Sequence, residues 1–394
     1  MDLQERIARR RSSRQGGRVV VDRDHLSPVV HRPEPVGRGP VLEQLLDALE
    51  PVFDDELPPP VAVVGPPGSG TSAIVTALFD ALNDQFSGSA RSIGTTTRAG
   101  AAGPITWFGT VDGRRIESPF SFYRAVLSLI SSEPVPESGI GTEELRTRLC
   151  DRLDRPDRRV IVAIDHHDEP ETLDVGRARD LLAPVDAHVA IVPVGQREPD
   201  GWDGATVTVP AYRDHELVDV ITDRASTGLA AGALDHDAVR DLAAWADGNA
   251  HDALAALFGA AVLARETDAD RIEHSHLETA RADVPEHGVH VGRALALPET
   301  RQQVLLTLTE LDATDRPIRE IATAIADRSS LTAGTVKRFL YELADRGVIE
   351  RVPLSTPDRG SGRQPSTVRP LFPTIVFRSL AATSVPSADG NDSA

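Results

Sequence analysis

The chain has 394 residues, 40% of them hydrophobic, and sets 60 acidic against 42 basic side chains for a formal net charge of −18. That length supports two or three domains with their own cores, and the longest apolar runs fall well short of a bilayer span, so a helical membrane protein is not expected. A single cysteine, Cys150, excludes intrachain disulfides and cysteine-based zinc sites.

The charge is also unusual in kind. Lys337 is the only lysine, so 41 of the 42 basic residues are arginine. Abundant Asp, Glu and Arg with almost no Lys suits a high-GC genome and a salt-loaded cytoplasm, where strong acidity preserves solubility. A halophilic source and a cytoplasmic location are expected. An arginine-rich start (Arg9-Arg10-Arg11-Ser12-Ser13-Arg14) has no apolar segment after it, which argues against a secretory or twin-arginine leader.

Residues 1–30 read as a basic flexible arm, because up to Arg18 the side chains of Arg6, Arg9, Arg10, Arg11, Arg14 and Arg18 face only Asp2 and Glu5. Such an arm either touches nucleic acid or is a solvated leader. Helical spacing follows over Val41–Phe53, and Pro58-Pro59-Pro60 breaks the chain before a strand, Val61–Val64. From there strands and helices alternate: helix Ala73–Asn83, strand Ile105–Val111, helices Phe120–Ile130 and Thr142–Leu153, strands Val160–Ile164 and Val189–Val194. The last two are short continuous apolar runs, as in a parallel sheet buried on both faces. After Pro210 the pattern becomes all-helical: Asp214–Ala225, Asp235–Ala246, His251–Arg265 and Ile272–Ala282. Helices Arg301–Leu311, Pro317–Ala326 and Thr332–Arg346 come next, then strand Val348–Val352, a Pro/Gly/Ser/Arg-rich loop from Ser355 to Ser366, and a returning strand over Val368–Phe377. Residues 381–394 read as a disordered tail.

The chemistry concentrates after the first strand. Gly65-Pro66-Pro67-Gly68-Ser69-Gly70-Thr71-Ser72 follows the phosphate-loop pattern G-x-x-x-x-G-K-[ST] except that Thr71 replaces the lysine. A glycine turn running into a helix offers backbone N–H groups and a helix N-terminus to phosphate, and neither needs the lysine. Ser72 keeps the hydroxyl that would ligate Mg²⁺. The second half of such a site is a strand ending in an acid, and Val160-Ile-Val-Ala-Ile-Asp165 fits, with Asp165 as the second Mg²⁺ candidate. His166 and His167 follow it, and loop histidines are the plainer reading of that pair. Val189–Val194 ends in Gly195-Gln196, the latter a polar residue at a strand end.

Further motifs resemble one family. Val209-Pro-Ala-Tyr-Arg-Asp-His-Glu-Leu-Val-Asp-Val-Ile-Thr-Asp-Arg-Ala225 is similar to the start of the helical lid in AAA+ proteins of the archaeal origin-recognition and cell-division-control type. Gly248-Asn-Ala-His-Asp-Ala-Leu254 resembles that family's Gly-Asp-Ala-Arg-x-Ala-Leu segment, His31-Arg32-Pro-Glu34 its His-Arg-Glu motif ahead of the first AAA+ helix, and Arg301–Leu380 its winged helix. The resemblance implies an α/β fold: an AAA+ core with a parallel sheet over 31–210, a helical lid over 211–290 and a C-terminal winged-helix, DNA-binding domain over 291–380. It implies ATP or ADP with Mg²⁺ as cofactor, held by Gly65–Ser72, Asp165, Gln196, Tyr212 and His251. The departures are the missing lysine, His166 where the family has its catalytic glutamate, and His251 where it has the sensor-two arginine. Arg197 is a candidate finger arginine. Loss of one catalytic charge raises a barrier by about 3–4 kcal/mol, so weak nucleotide binding with very slow or absent hydrolysis is expected.

At the C-terminal end, Pro317–Ala326 and Thr332–Arg346 form a helix-turn-helix pattern with Ile318, Ile321, Ala322, Ile325, Val336, Leu340 and Leu343 inside. Thr335, Lys337, Arg338 and Tyr341 would face DNA, with Arg359 and Arg363 on a wing. Leu295–Leu380 carries 12 basic and 10 acidic residues, a net of +2 in a chain at −18. The leading expectation is a diverged, replication-initiator-like protein that binds duplex DNA and partners an AAA+ paralogue or replication proteins, with no membrane role. A transcription-type regulator reusing the scaffold, and an active origin-binding, helicase-loading ATPase, are the alternatives.

Overall fold

The structure is a computed structural model describing residues 19–93, 104–311, 313, 315–354 and 364–384. Residues 1–18 of the expected arm, the loop tip with Arg359 and Arg363, and residues 385–394 of the expected tail lie outside the described residues. The chain forms two compact units, one of residues 31–216 and one that joins the N-terminal segment to residues 217–394.

The N-terminal segment contributes a short helix, α1 (Arg23–Leu26), capped by the Asp22 side chain. Residues 19–30 are therefore structured rather than armlike. Val20 makes an antiparallel bridge with Leu229, the Ala230 N–H donates to Val19 O at 2.9 Å, and the Arg224 guanidinium donates to Val30 O at 2.7 Å. Leu26 and Val19 are fully buried, which local charge counting does not reveal.

The unit of residues 31–216 begins with α2 (Gly39–Ala48), where Pro40 takes the first turn, a position that needs no N–H donor. Strand β1 (Val61–Val64) then runs through the glycine loop into α3 (Thr71–Ile93). Strand β2 (Ile105–Asp112), helices α4 (Pro119–Ile130) and α5 (Thr142–Leu153), strand β3 (Arg158–Asp165), helix α6 (Val175–Leu182), and strands β4 (Val189–Gly195) and β5 (Ala205–Thr208) complete it. Among the described residues these strands form a five-stranded sheet in the order β2-β3-β4-β1-β5, with every pairing parallel.

The pleat explains why β3 is a continuous apolar run. Ile161 and Ala163 point into the cluster built on α2 and α3, with Leu45, Ile74 and Phe79. Val160, Val162 and Ile164 point into the opposite cluster, with Phe122, Leu127, Leu145 and Leu149. Burying each such side chain contributes about 1.5–3 kcal/mol, so both faces of one strand work for the fold. The β2 edge is braced by Asn83, whose amide donates to Phe108 O at 2.8 Å and accepts from the Phe108 N–H at 3.1 Å. Sequence periodicity did not signal β5, whose residues are mostly exposed, or α6, which is only two turns long.

The second unit continues with α7 (Asp214–Gly228), α8 (His236–Ala246), α9 (Ala250–Glu266), α10 (His274–Asp283), α11 (Val291–Leu295), α12 (Glu299–Glu310), α13 (Ile318–Ala326) and α14 (Ala333–Asp345). Helix α9 is apolar nearly all round and accordingly central. Strands β6 (Ile349–Pro353) and β7 (Ser366–Pro370) pair as an antiparallel hairpin. The strand expected over Val368–Phe377 ends at Pro370; after Pro373 the chain turns into α15 (Thr374–Ser384). Prolines cannot donate to a ladder, and the cap of α15 is distant in sequence. Asp283 accepts from the Ile375 N–H at 2.7 Å and from the Thr374 hydroxyl at 2.5 Å. Helix α15 packs against α9, α10, α11 and α12.

Candidate functional site

The glycine loop lies at the junction of β1 and α3, at the edge of the sheet where strands end. Its backbone favours glycine: φ is +70° at Gly68 and +90° at Gly70. A Cβ on Gly65 would stand 2.5 Å from Val209 O and 2.5 Å from Ser69 Oγ, so no side chain fits there. The Ser69 N–H donates to Pro66 O at 3.1 Å and the Gly65 N–H to Gly195 O at 3.1 Å, which closes the turn and ties it to β4. Ser69 is buried, and its hydroxyl lacks a hydrogen-bond partner inside the protein. Tight glycines, left-handed turns and an unsatisfied buried hydroxyl fit a loop shaped around an external oxygen-rich group. The Thr71 methyl turns toward this loop, 3.1 Å from the Gly65 Cβ position, and brings no charge. Pro66 and Pro67 are exposed on its rim, and Ser72 is half-buried at the start of α3.

Asp165 ends β3 at the same edge. It pairs in register with Val194 of β4, which pairs with Val63 of β1, so the carboxylate stands level with the strand that feeds the loop. Two strand spacings place them about 10 Å apart. Asp165 is buried but not free. Its Oδ1 accepts from the His166 N–H at 2.9 Å, and the His166 ring returns to place Nε2 3.4 Å from Oδ2. The return is possible because His166 takes a left-handed backbone, φ +61°. The other ring nitrogen, Nδ1, is 3.1 Å from Glu169. Burial opposes charging this imidazole, but Asp165 and Glu169 outweigh it and raise its pKa. Alongside, Arg114 forks onto Asp112 through Nε at 2.8 Å and Nη2 at 2.9 Å. Burial pushes the Asp112 carboxyl up, yet the Arg114 bonds and charge prevail and hold it below its ordinary range. Among the described residues no cluster of three His, Cys, Asp or Glu is placed to hold a metal ion by itself.

Gln196 has an exposed side chain, while its N–H and that of Arg197 each donate to Asp168 Oδ2 at 3.1 Å. Arg197 is exposed beside the same carboxylate at 3.6 Å. His167 is buried against Gly195, and burial lowers its pKa. Tyr212 is buried, with its hydroxyl 3.1 Å from the Gly70 Cβ position. Over its ring lies Arg38, 3.5 Å from guanidinium carbon to centroid, only 2% exposed, with Nη2 donating to Pro210 O at 2.9 Å. Arg38, Asp112 and Arg114 escaped the sequence reading. Arg38 stands immediately before α2 and after Gly37 at φ +74°, seven residues past the start of the motif read at His31. The loop, Asp165, Gln196 and Tyr212 share one unit, whereas His251 belongs to the other. There His251 is buried, its Nε2 accepts from the Val291 N–H at 3.1 Å, and its Nδ1 lies 3.0 Å from Asp252. Those bonds suit a neutral ring with its proton on Nδ1, unlike the arginine of the family motif.

In the C-terminal part, all seven expected core residues of the helix pair are buried. Thr332 caps α14, accepting from the Thr335 N–H at 3.2 Å, and its hydroxyl is 3.0 Å from the Thr335 hydroxyl, so Thr335 is engaged in the cap. Lys337 and Arg338 are exposed, and Tyr341 is half-buried.

Comparison with known proteins covers both ends of the chain. Residues 34–192 match the AAA ATPase domain family. A stretch of 165 residues is 31% identical to ORC1-type DNA replication protein 1 of Methanothermobacter thermautotrophicus, spanning 40% of this chain and 43% of that one. ORC1-type DNA replication protein 11 of Haloarcula marismortui is 24% identical over 397 residues, covering 93% of this chain and 92% of its own. The fold is shared with the Aeropyrum pernix ORC1 protein, solved in complex with DNA, at a TM-score of 0.58 and 22% identity over 92% of this chain and 97% of that one. A parallel sheet in this strand order, a glycine loop on β1 and an acid ending β3 fit the AAA ATPase domain matched over residues 34–192, and the chain is similar along most of its length to ORC1-type DNA replication proteins.

Proposed function

We propose that this chain is a replication-initiator-like, duplex-DNA-binding protein of a salt-loaded cytoplasm whose nucleotide site holds ATP or ADP weakly and hydrolyses it very slowly or not at all. The observation that carries this reading is the pairing of a complete glycine cradle with an acid corner already occupied by its own histidine. Gly65–Ser72 supplies backbone donors, and Ser72 and Asp165 would hold Mg²⁺ together with the phosphates. Bound Mg²⁺ would screen phosphate charge. The position after Asp165 offers no carboxylate to direct water: it is His166, and its ring is turned onto Asp165 and Glu169. Thr71 gives no ammonium group to stabilise charge on the terminal phosphate. Tyr212 closes one side of the loop at Gly70, and His251, engaged with Val291 and Asp252, supplies no sensor cation.

The DNA half of the reading rests on the α13–α14 pair, the β6–β7 hairpin and the exposed Lys337 and Arg338, an arrangement we read as a winged helix with α14 as its groove helix. Purified protein assayed in molar salt for Mg²⁺-dependent ATP turnover tests the enzymatic half. Turnover at or below about 10⁻² of an ordinary ATPase rate is expected. Robust turnover that Asp165→Ala abolishes would favour the active helicase-loading alternative.

A further inference from the structure

The two-stranded hairpin and α14 meet around one aromatic ring. Tyr341 has the Lys337 ammonium 5.9 Å from its ring centroid and the Arg351 guanidinium carbon 5.2 Å from it. Lys337 is one helical turn before Tyr341 on α14. Arg351 comes from β6, on the same strand face as the buried Ile349 but two residues farther out, where it is exposed. Both distances fall within cation–π range. The ring thus has one cation from the helix and one from the hairpin within reach of it.

Three arginines of this region are paired with acids: Arg301 and Arg346 with Glu342, at 3.3 and 3.7 Å, and Arg369 with Glu350 across the hairpin. Among the described residues no carboxylate lies within ion-pair distance of Lys337 or Arg351, although the chain holds 60 acids and has a single lysine to place. Two cations brought together without an acid repel each other, and the arrangement is satisfied when an anion joins them. Each held against the same ring, they lose little freedom on doing so.

We propose that Lys337 and Arg351, positioned by Tyr341, form a two-cation clamp for the phosphodiester backbone of duplex DNA, bridging α14 and the hairpin. This rests on the DNA-binding reading above and sharpens it. Arg351 joins the interface, and Tyr341 acts as a positioning residue instead of a base reader. Phosphate contacts carry no sequence information, so the clamp sets register while other groups select the site.

The test is the salt dependence of binding to a fluorescein-labelled random-sequence duplex, measured for the full-length chain from low to molar salt. Lys337→Gln and Arg351→Gln are each expected to lower the slope of log affinity against log salt by about 1, and the pair together by about 2. Both sites are exposed, so thermal stability should hold. Tyr341→Leu should weaken binding with an unaltered melting temperature. Tyr341→Phe restores the ring and should recover the binding that Tyr341→Leu loses. If the wild type binds and Arg351→Gln keeps its slope, the clamp is wrong while DNA binding stands. If the wild type retains no duplex at any salt, the DNA-binding reading falls and takes the clamp with it.

Discussion

The glycine loop and the Asp165–Glu169 corner stand at one sheet edge, yet they are built from different materials. The loop is made of backbone: left-handed glycines at 68 and 70, a Gly65 with no room for a Cβ, and main-chain bonds to β4. The corner is made of side chains, with His166 folded onto Asp165 and Glu169 and Arg114 forked onto Asp112. A backbone site outlives the loss of its lysine because its donors belong to every residue. A side-chain site changes its chemistry with each replacement. On the proposed reading, phosphate binding and phosphate cleavage part company within one motif set, since the first would rest on the loop and the second on the corner.

The largest effect should come from the corner. Arg114→Ala removes both short bonds to the largely buried Asp112 carboxylate, leaving only the longer Arg115 pair at 3.6 Å, and should cost about 2–3 kcal/mol, less than the full penalty for a completely buried pair. Chemical denaturation measures it. The pH dependence gives the sign. Asp112 is held below its unfolded value, so its contribution is fully present above about pH 4 and is lost as pH falls through the lower folded value. The gap between wild type and Arg114→Ala should therefore close in acid, and a gap that widens there would contradict the assignment. Next is Gly65→Ala. Its methyl meets Val209 O and Ser69 Oγ at 2.5 Å, so a loss of about 1–3 kcal/mol is expected in thermal unfolding, together with loss of nucleotide binding. The smallest is Ser69→Ala. Removing a buried hydroxyl that has no partner should leave stability unchanged or raise it by about 0.5–1 kcal/mol. A fall of the same size as for Gly65→Ala would mean the loop relies on side chains after all.

Most of the parallel sheet was legible because β3 and β4 are apolar runs flanked by amphipathic helices, and the loop was legible because its glycines are local necessities. Thr332 as a cap and the helix-pair core were readable for the same reason. What escaped the sequence depends on distant partners. Asp283 caps a helix that begins 91 residues later, which turned an expected strand into α15. Arg224 and Leu229 fasten residues 19–30. Arg38 acquires meaning only when Tyr212 comes to lie under it, and Arg351 only when the hairpin reaches Tyr341. The turning of His166 onto Asp165 needs a left-handed residue that no periodicity announces.

The most direct measurement is a calorimetric titration of ATP and ADP into the purified protein and into Thr71→Lys. A backbone cradle predicts saturable binding of one nucleotide by the wild type, tightened roughly tenfold or more when a charged donor is restored. Absence of binding by the wild type alongside strong binding by Thr71→Lys would show that the ammonium group, and not the main chain, is what holds the phosphates.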